Sequence, residues 1–134
     1  MINYGKQTIE SVDIAAVIDV LQSDWLTQGP KVDEFENKVA NYVGAKYAVA
    51  VSSGSAALHL ASIAIELGDG DEVITSPNTF VATSNSILYV GARPIFVDID
   101  KQTLNIDIEQ IEKVIASSKN IKAIFPVHYA GLSC

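Results

Sequence analysis

Four short clusters hold most of the residue types able to bind or react: Ser52-Ser53-Gly54-Ser55, Ser76-Pro77-Asn78-Thr79-Phe80, Asp98-Ile99-Asp100 and Val127-His128-Tyr129-Ala130-Gly131. The first is the sharpest as an anion binder. It leaves a β-branched run and opens a helical pattern, so the backbone N–H groups of Ser55, Ala56 and Ala57 are expected to point outward. The helix dipole adds partial positive charge there, and Ser53 and Ser55 add hydroxyl donors. Together these suit a phosphate-sized anion. A serine N-cap followed by a glycine for a tight turn accounts for the same residues. Neither the G-x-G-x-x-G of dinucleotide folds nor the G-K-[ST] of triphosphate loops is present.

The remaining clusters carry weaker chemistry. Phe80, just past a Pro-Asn turn, offers a ring that could stack on a planar ligand; a core phenylalanine facing the sheet explains it equally. Asn78 is the expected N-cap of the helix that follows. Asp98 and Asp100 resemble a carboxylate pair for acid–base work, yet residues two apart at a strand end, with Asn105 nearby, more often shape a turn. His128 could bond or orient a ligand, whereas His59, between Leu58 and Leu60, reads as a packing or interface residue. Two distant histidines without Cys or carboxylate at ligand spacing make no metal site. Ser53 and Ser55 lack the G-x-S-x-G elbow of a hydrolase. No chemistry attaches to Cys134.

These clusters need elements to place them. Apolar residues at helical spacing predict helices over 10–23, from Val32 to a stop at Gly44, over 55–67, over 79–90 and over 107–117. Short apolar runs predict strands over 47–51, 72–75, 94–98 and 121–127. They read as continuous rather than alternating, as parallel strands covered on both faces do. The expected architecture is therefore α/β, a three-layer, mostly parallel sheet, with all four clusters at the carboxyl ends of strands where such sheets bind ligands.

Composition narrows the class. The 134 residues carry 9 basic and 16 acidic side chains for a net charge of −7, with only 19% charged and 49% hydrophobic residues. The acidity, with Lys and Arg scattered, argues against nucleic acid as the main partner. No stretch approaches the roughly 20 apolar residues of a membrane span. The N-terminus lacks a signal peptide's apolar core, and one cysteine fits a cytosolic protein. The charged fraction sits below the roughly 25% of ordinary soluble domains. That leaves a sheet buried on both faces, or a chain with apolar surface meant for something else.

Longer strings carry a resemblance. Gly29-Pro30-Lys31-Val32-Asp33-Glu34-Phe35-Glu36, Ser52-Ser53-Gly54-Ser55-Ala56-Ala57-Leu58-His59-Leu60 and Gly70-Asp71-Glu72-Val73-Ile74 resemble motifs of the DegT/DnrJ/EryC1/StrS sugar aminotransferases. So do Pro77-Asn78-Thr79-Phe80-Val81-Ala82-Thr83-Ser84-Asn85, Gly91-Ala92-Arg93-Pro94-Ile95-Phe96-Val97-Asp98-Ile99-Asp100 and Pro126-Val127-His128-Tyr129-Ala130-Gly131. The opening Ile2-Asn3-Tyr4-Gly5-Lys6-Gln7 looks most like the branch that aminates UDP-linked 4-keto-6-deoxy sugars toward pseudaminic acid.

The resemblance implies part of the large domain of a fold-type I, pyridoxal-phosphate-dependent aminotransferase. It implies a nucleotide-linked keto sugar as substrate, glutamate as amino donor, a homodimer and a cytoplasmic setting. Gly54, Ser55 and Ala56 would hold the cofactor phosphate, and Phe80 would stack on the pyridine ring. Tyr4 of the N-terminal arm, the Thr27-Gln28-Gly29 loop and His128 would lie near substrate or cofactor. Residues 1–30 would form an arm, helix and loop, and 31–134 part of the cofactor domain. The family often has Thr where Ser55 stands, and serine keeps the hydroxyl.

One departure matters more. Family members hold the cofactor as a Schiff base on a lysine and secure its pyridine nitrogen with an aspartate. Both belong to segments after the Val-His-Tyr-Ala-Gly stretch. Lys46 and Lys122 are expected at strand starts, the wrong sheet end; Lys31, Lys38, Lys101, Lys113 and Lys119 in helices or outer turns; Lys6 in the arm. The chain is therefore expected to be the N-terminal portion of an aminotransferase, inactive alone. A dehydratase of the same family, with histidine in place of the lysine, is the alternative enzyme. A phosphate-ligand-binding domain without catalysis is the alternative outside enzymes. A Rossmann-type module is weakened by the lone glycine at the first turn.

Overall fold

Residues 72–75 form the central strand of a sheet in the computed structural model, which describes residues 5–134. This strand, β1 (Glu72–Thr75), is buried at all four positions. Strands β2 (Arg93–Phe96) and β3 (Ile121–Phe125) flank it in the order β2-β1-β3, both parallel to it. Pro94 cannot donate to a ladder, which suits β2 to an edge. Pro126 has no N–H either, and β3 stops just before it, two residues short of the predicted end. The predicted 94–98 strand runs from Arg93 to Phe96, because Asp98 turns its carboxylate onto the N–H of Ile99 at 2.8 Å.

The chain divides into two compact units, Met1–Ala50 and Val51–Cys134. In the second unit the core has two halves, one on each face of β1. Val73 packs with Leu67, Ile87 and Ala92. Ile74, its neighbour on the opposite face, packs with Val97 and Ile106, backed by Ile111 and Val114. Ile87 comes from α4 (Ala82–Leu88), and Ile111 and Val114 come from α5 (Ile108–Ser117). Helices thus cover both faces of β1, as expected of a layered sheet, whereas β2 and β3 stay partly exposed. Burying Val73 and Ile74 completely stabilises the unit by about 1.5–3 kcal/mol each.

Helix α3 (Gly54–Ala64) packs on α4, and His59 meets the Tyr89 ring edge-on at 5.4 Å, the packing role expected of it. Both helices are shorter than predicted. α3 ends at Ala64 because Glu66 adopts φ 56° and the N–H of Leu67 returns to the Ser62 carbonyl at 3.1 Å. α4 starts at Ala82 with Val81 as N-cap, so Asn78 does not cap it. The Asn78 N–H instead donates to the Ser76 hydroxyl oxygen at 3.1 Å, closing a turn over Pro77. α4 gives way at Tyr89 to a turn ending on Gly91, φ 81°, where a Cβ would collide with the Asp69 carboxylate.

In the first unit, α1 (Ser11–Leu21) is capped by reciprocal bonds between Glu10 and Asp13, and none of its residues is buried. Helix α2 (Pro30–Val43) starts with Pro30 after the Gly29 cap and stops at Gly44, φ 70°, as predicted. The 47–51 run forms no strand. Its apolar pattern suits one, but it finds no ladder partner among the described residues, and Tyr47 and Val49 stay exposed. The Ala50 N–H donates instead to the Glu36 carboxylate at 2.7 Å. No helix among the described residues is long and apolar enough to cross a membrane.

Candidate functional site

The first cluster becomes the N-terminus of α3. Ser53 is the N-cap: its hydroxyl oxygen accepts from the Ala56 N–H at 3.1 Å, and its carbonyl accepts the Ala57 N–H at 3.0 Å. These two donors are engaged, contrary to the expectation that they point free. The Gly54 and Ser55 N–H groups have no partner among the described residues, as the first positions of a helix require. The Ser55 hydroxyl stands exposed beside them. A Cβ built on Gly54 meets nothing within 4 Å, so the backbone there lies open to close approach. Ser53 is thus the cap, and Gly54 with Ser55 is the open donor pair. The dipole of this eleven-residue helix favours an anion against it.

The tips of the three strands are tied to one another by side-chain amides. Asn78 donates to the Leu104 carbonyl at 3.4 Å. Asn105, 6% exposed, accepts the Tyr129 N–H at 3.0 Å and donates to the carbonyls of Leu132 and Ser133 at 3.1 and 3.3 Å. His128 sits just past β3, and its Nδ1 accepts the Cys134 N–H at 3.0 Å. Phe80 is 75% exposed at the tip of β1, so it is not a core residue. Pro77, Thr79, Val81, Ser84 and Phe96 line a cavity of about 260 Å³ beside it.

Asp98 and Asp100 do shape a turn. The Asp100 carboxylate accepts from the Thr103 N–H at 2.8 Å, the Thr103 hydroxyl at 2.9 Å and the Gln102 N–H at 3.1 Å. The Thr103 N–H, then its hydroxyl, hold that carboxyl below its ordinary range. A carboxylate so engaged anchors a loop and is a poor proton carrier. The adjoining cavity of about 530 Å³ includes Asp100, Asp107 and Glu109, whose charges repel phosphate.

Thr27, Gln28 and Gly29 form the loop before α2, with Gln28 in the left-handed region at φ 48°. Tyr4 lies outside the described residues. Among the lysines, Lys31 and Lys38 both pair with Glu34, at 2.7 and 2.6 Å, and hold its pKa down to about 2. Lys46 lies 5.1 Å from the Tyr47 ring centroid, in a segment that is not the predicted strand. Lys122 pairs with Asp71 at 3.2 Å at the amino end of the sheet, opposite the strand tips, as predicted. Among the described residues no cluster of His, Cys, Asp or Glu suits a metal ion. Sequence reasoning missed the role of Asn105; its signal was an amide between apolar Leu104 and Ile106 in a strand-tip loop.

Known proteins share this layout. Spore coat polysaccharide biosynthesis protein SpsC of Bacillus subtilis is 50% identical over 131 residues, 98% of this chain and 33% of that protein. UDP-4-amino-4-deoxy-L-arabinose–oxoglutarate aminotransferase of Shewanella sediminis is 45% identical over 96% of this chain and 32% of its own length. A Streptococcus pneumoniae protein assigned as a sugar aminotransferase, solved in its PLP form, superposes with a TM-score of 0.92 at 37% identity. The match covers 99% of this chain and 33% of that one. The chain thus spans about a third of the length of the relatives it matches. The family model for these enzymes matches residues 7–134, and the chain belongs to the DegT/DnrJ/EryC1/StrS aminotransferase family.

Proposed function

We propose that this chain is the phosphate-holding part of a pyridoxal-phosphate-dependent aminotransferase that aminates a nucleotide-linked 4-keto-6-deoxy sugar. Glutamate is the proposed amino donor, and the product enters surface-polysaccharide or nonulosonic acid (pseudaminic acid-type) synthesis in the cytoplasm. The carrying observation is the open donor pair at the start of α3, Gly54 and Ser55, where a Cβ would occupy free space. The relatives support the reading through what they are: a polysaccharide biosynthesis protein, a sugar aminotransferase and a PLP-form structure.

In this reading the Gly54 and Ser55 N–H groups and the Ser55 hydroxyl hold the cofactor phosphate. The Ala56 N–H joins them when it leaves the Ser53 hydroxyl. Phe80 lies against the pyridine ring, and its exposure leaves that face accessible. His128 and the Thr27-Gln28-Gly29 loop contact cofactor or sugar nucleotide, and Tyr4 of the arm does the same. When bound, the cofactor supplies an electron sink and an amino-group carrier. The lysine and pyridine-binding aspartate come from outside these 134 residues, and the chain alone is inactive. Lys31 and Lys38 are committed to Glu34, and Lys122 to Asp71. Residues 1–30 act as arm, helix and loop, residues 31–134 as part of the cofactor domain, and the enzyme is a homodimer.

The test compares Gly54→Ala and Ser55→Asp with the unaltered chain for binding of pyridoxal phosphate, by calorimetry. The alanine Cβ fills the anion's approach, and the aspartate repels it, so both lower affinity by about tenfold or more. Equal affinity in both variants would reject the cradle. In the longer enzyme, glutamate and a UDP-4-keto-6-deoxy sugar yield an aminated sugar by mass spectrometry; a dehydrated product without nitrogen points to the dehydratase branch.

A further inference from the structure

The Asn105 side chain spends its hydrogen-bonding capacity on one distant loop. Its oxygen takes the N–H of Tyr129, and its amide nitrogen reaches the carbonyls of Leu132 and Ser133, so a single buried residue spans both ends of a five-residue segment. The residue after that segment, Cys134, donates its N–H to His128 Nδ1 at 3.0 Å. A backbone N–H can only donate, so Nδ1 must be the unprotonated nitrogen. A neutral imidazole then carries its proton on Nε2. The loop is bent as this arrangement demands: Ala130, between the two anchored ends, has φ 50°, and Leu104, beside Asn105, has φ 60°. Neither is glycine, and such conformations persist where surrounding bonds impose them. The Leu104 carbonyl is itself held by Asn78, so the clip also reaches the tip of β1.

We propose that Asn105 is a positioning residue that fixes His128 as an Nε2–H donor at the carboxyl end of the sheet, directed at an oxygen of the bound ligand. The donor role rests on the cofactor reading above; the tautomer does not. His128 is exposed, and its Nε2 has no partner among the described residues, so the donor is open to a ligand. A protonated or Nδ1–H ring would lose the Cys134 bond and release the loop.

The experiment is a long-range nitrogen–proton NMR spectrum of the labelled chain. The unaltered chain is expected to show a pyridine-type Nδ1 and a pyrrole-type Nε2 at His128; the reverse tautomer, or a mixture, overturns the proposal. Asn105→Asp separates positioning from mere stability. Its carboxylate still accepts from Tyr129 but faces two carbonyl oxygens it must repel. The Tyr129 amide should keep its exchange protection while His128 becomes a tautomer mixture. In Asn105→Ala, Tyr129 protection falls as well, by about tenfold, as the loss of a buried partner implies. A folded Asn105→Asp chain with an unchanged His128 spectrum rejects the clip. Adding pyridoxal phosphate tests the donor clause. Shifts at Gly54 and Ser55 with none at His128 Nε2 reject the donor and leave the cofactor reading standing; no shift at either place rejects both.

Discussion

At the residue scale, the decisive feature is which helix-start donors are free. Ser53 already satisfies Ala56 and Ala57, which leaves the N–H groups of Gly54 and Ser55 as the first contacts of the proposed phosphate. Two substitutions separate cap from cradle. Ser53→Ala removes the cap and is expected to cost about 1 kcal/mol in urea denaturation. Gly54→Ala leaves the free fold intact, because its Cβ meets open space, and stabilises it by up to about 1 kcal/mol through the unfolded chain. Its penalty falls on phosphate affinity instead. A Gly54→Ala chain that is both less stable and equally able to bind would contradict this division. The start of α3 and its Ser53 cap were legible because serines and a glycine ahead of a helical pattern are local signals. Asn78 and Asn105 were not, because an asparagine in a loop reads as a turn or cap. Their partners lie 26 and 24 residues away, at Leu104 and Tyr129.

At the element scale, helices with chemical punctuation were readable to within a residue or two. Pro30 and Gly44 bound α2, and Asp107 caps α5 by accepting the N–H groups of Glu109 and Gln110 at 2.8 and 3.3 Å. Asp107→Ala is expected to cost about 1 kcal/mol of unfolding free energy, read by urea denaturation. The 47–51 run was misread because a strand is defined by its neighbours: an apolar, β-branched sequence without a ladder partner is only extended chain. At the amino end of the sheet, ion pairs join the strands. Glu72 accepts from Ser118 at 2.6 Å and pairs with Arg93, while Asp71 accepts from Gly68 at 2.9 Å and pairs with Lys122. The Ser118 bond foremost, then Arg93, lowers the Glu72 pKa; Gly68, then Lys122, lowers that of Asp71. A folded-state pKa below the unfolded value adds stability above the unfolded pKa and withdraws it as pH falls through the folded one. Thermal unfolding should therefore be flat near neutrality and drop in steeply below about pH 4. Glu72→Gln should flatten that acid limb, and an unchanged limb would show that this clamp does not set it.

At the scale of the whole molecule, a low charged fraction has two sources. The central strand is covered on both faces, which accounts for Val73, Ile74 and Ile87. The remainder is surface: α1 exposes Ile14, Val17, Ile18 and Leu21 and buries nothing. An apolar stripe of that kind marks an interface, and the homodimer proposed above gives it a second copy as partner. Val17→Glu with Leu21→Glu should shift the chain toward monomer in sedimentation at several concentrations; an unchanged profile would remove α1 from the interface. The central claim, that the start of α3 holds the phosphate of pyridoxal phosphate, has a more direct test. The labelled chain is titrated with pyridoxal phosphate, inorganic phosphate and pyridoxal while its amide resonances are followed. Saturable shifts of Gly54 and Ser55 with both phosphate-bearing ligands, and none with pyridoxal, are the predicted result. Resonances of Gly54 and Ser55 that stay fixed while pyridoxal phosphate binds elsewhere would contradict it.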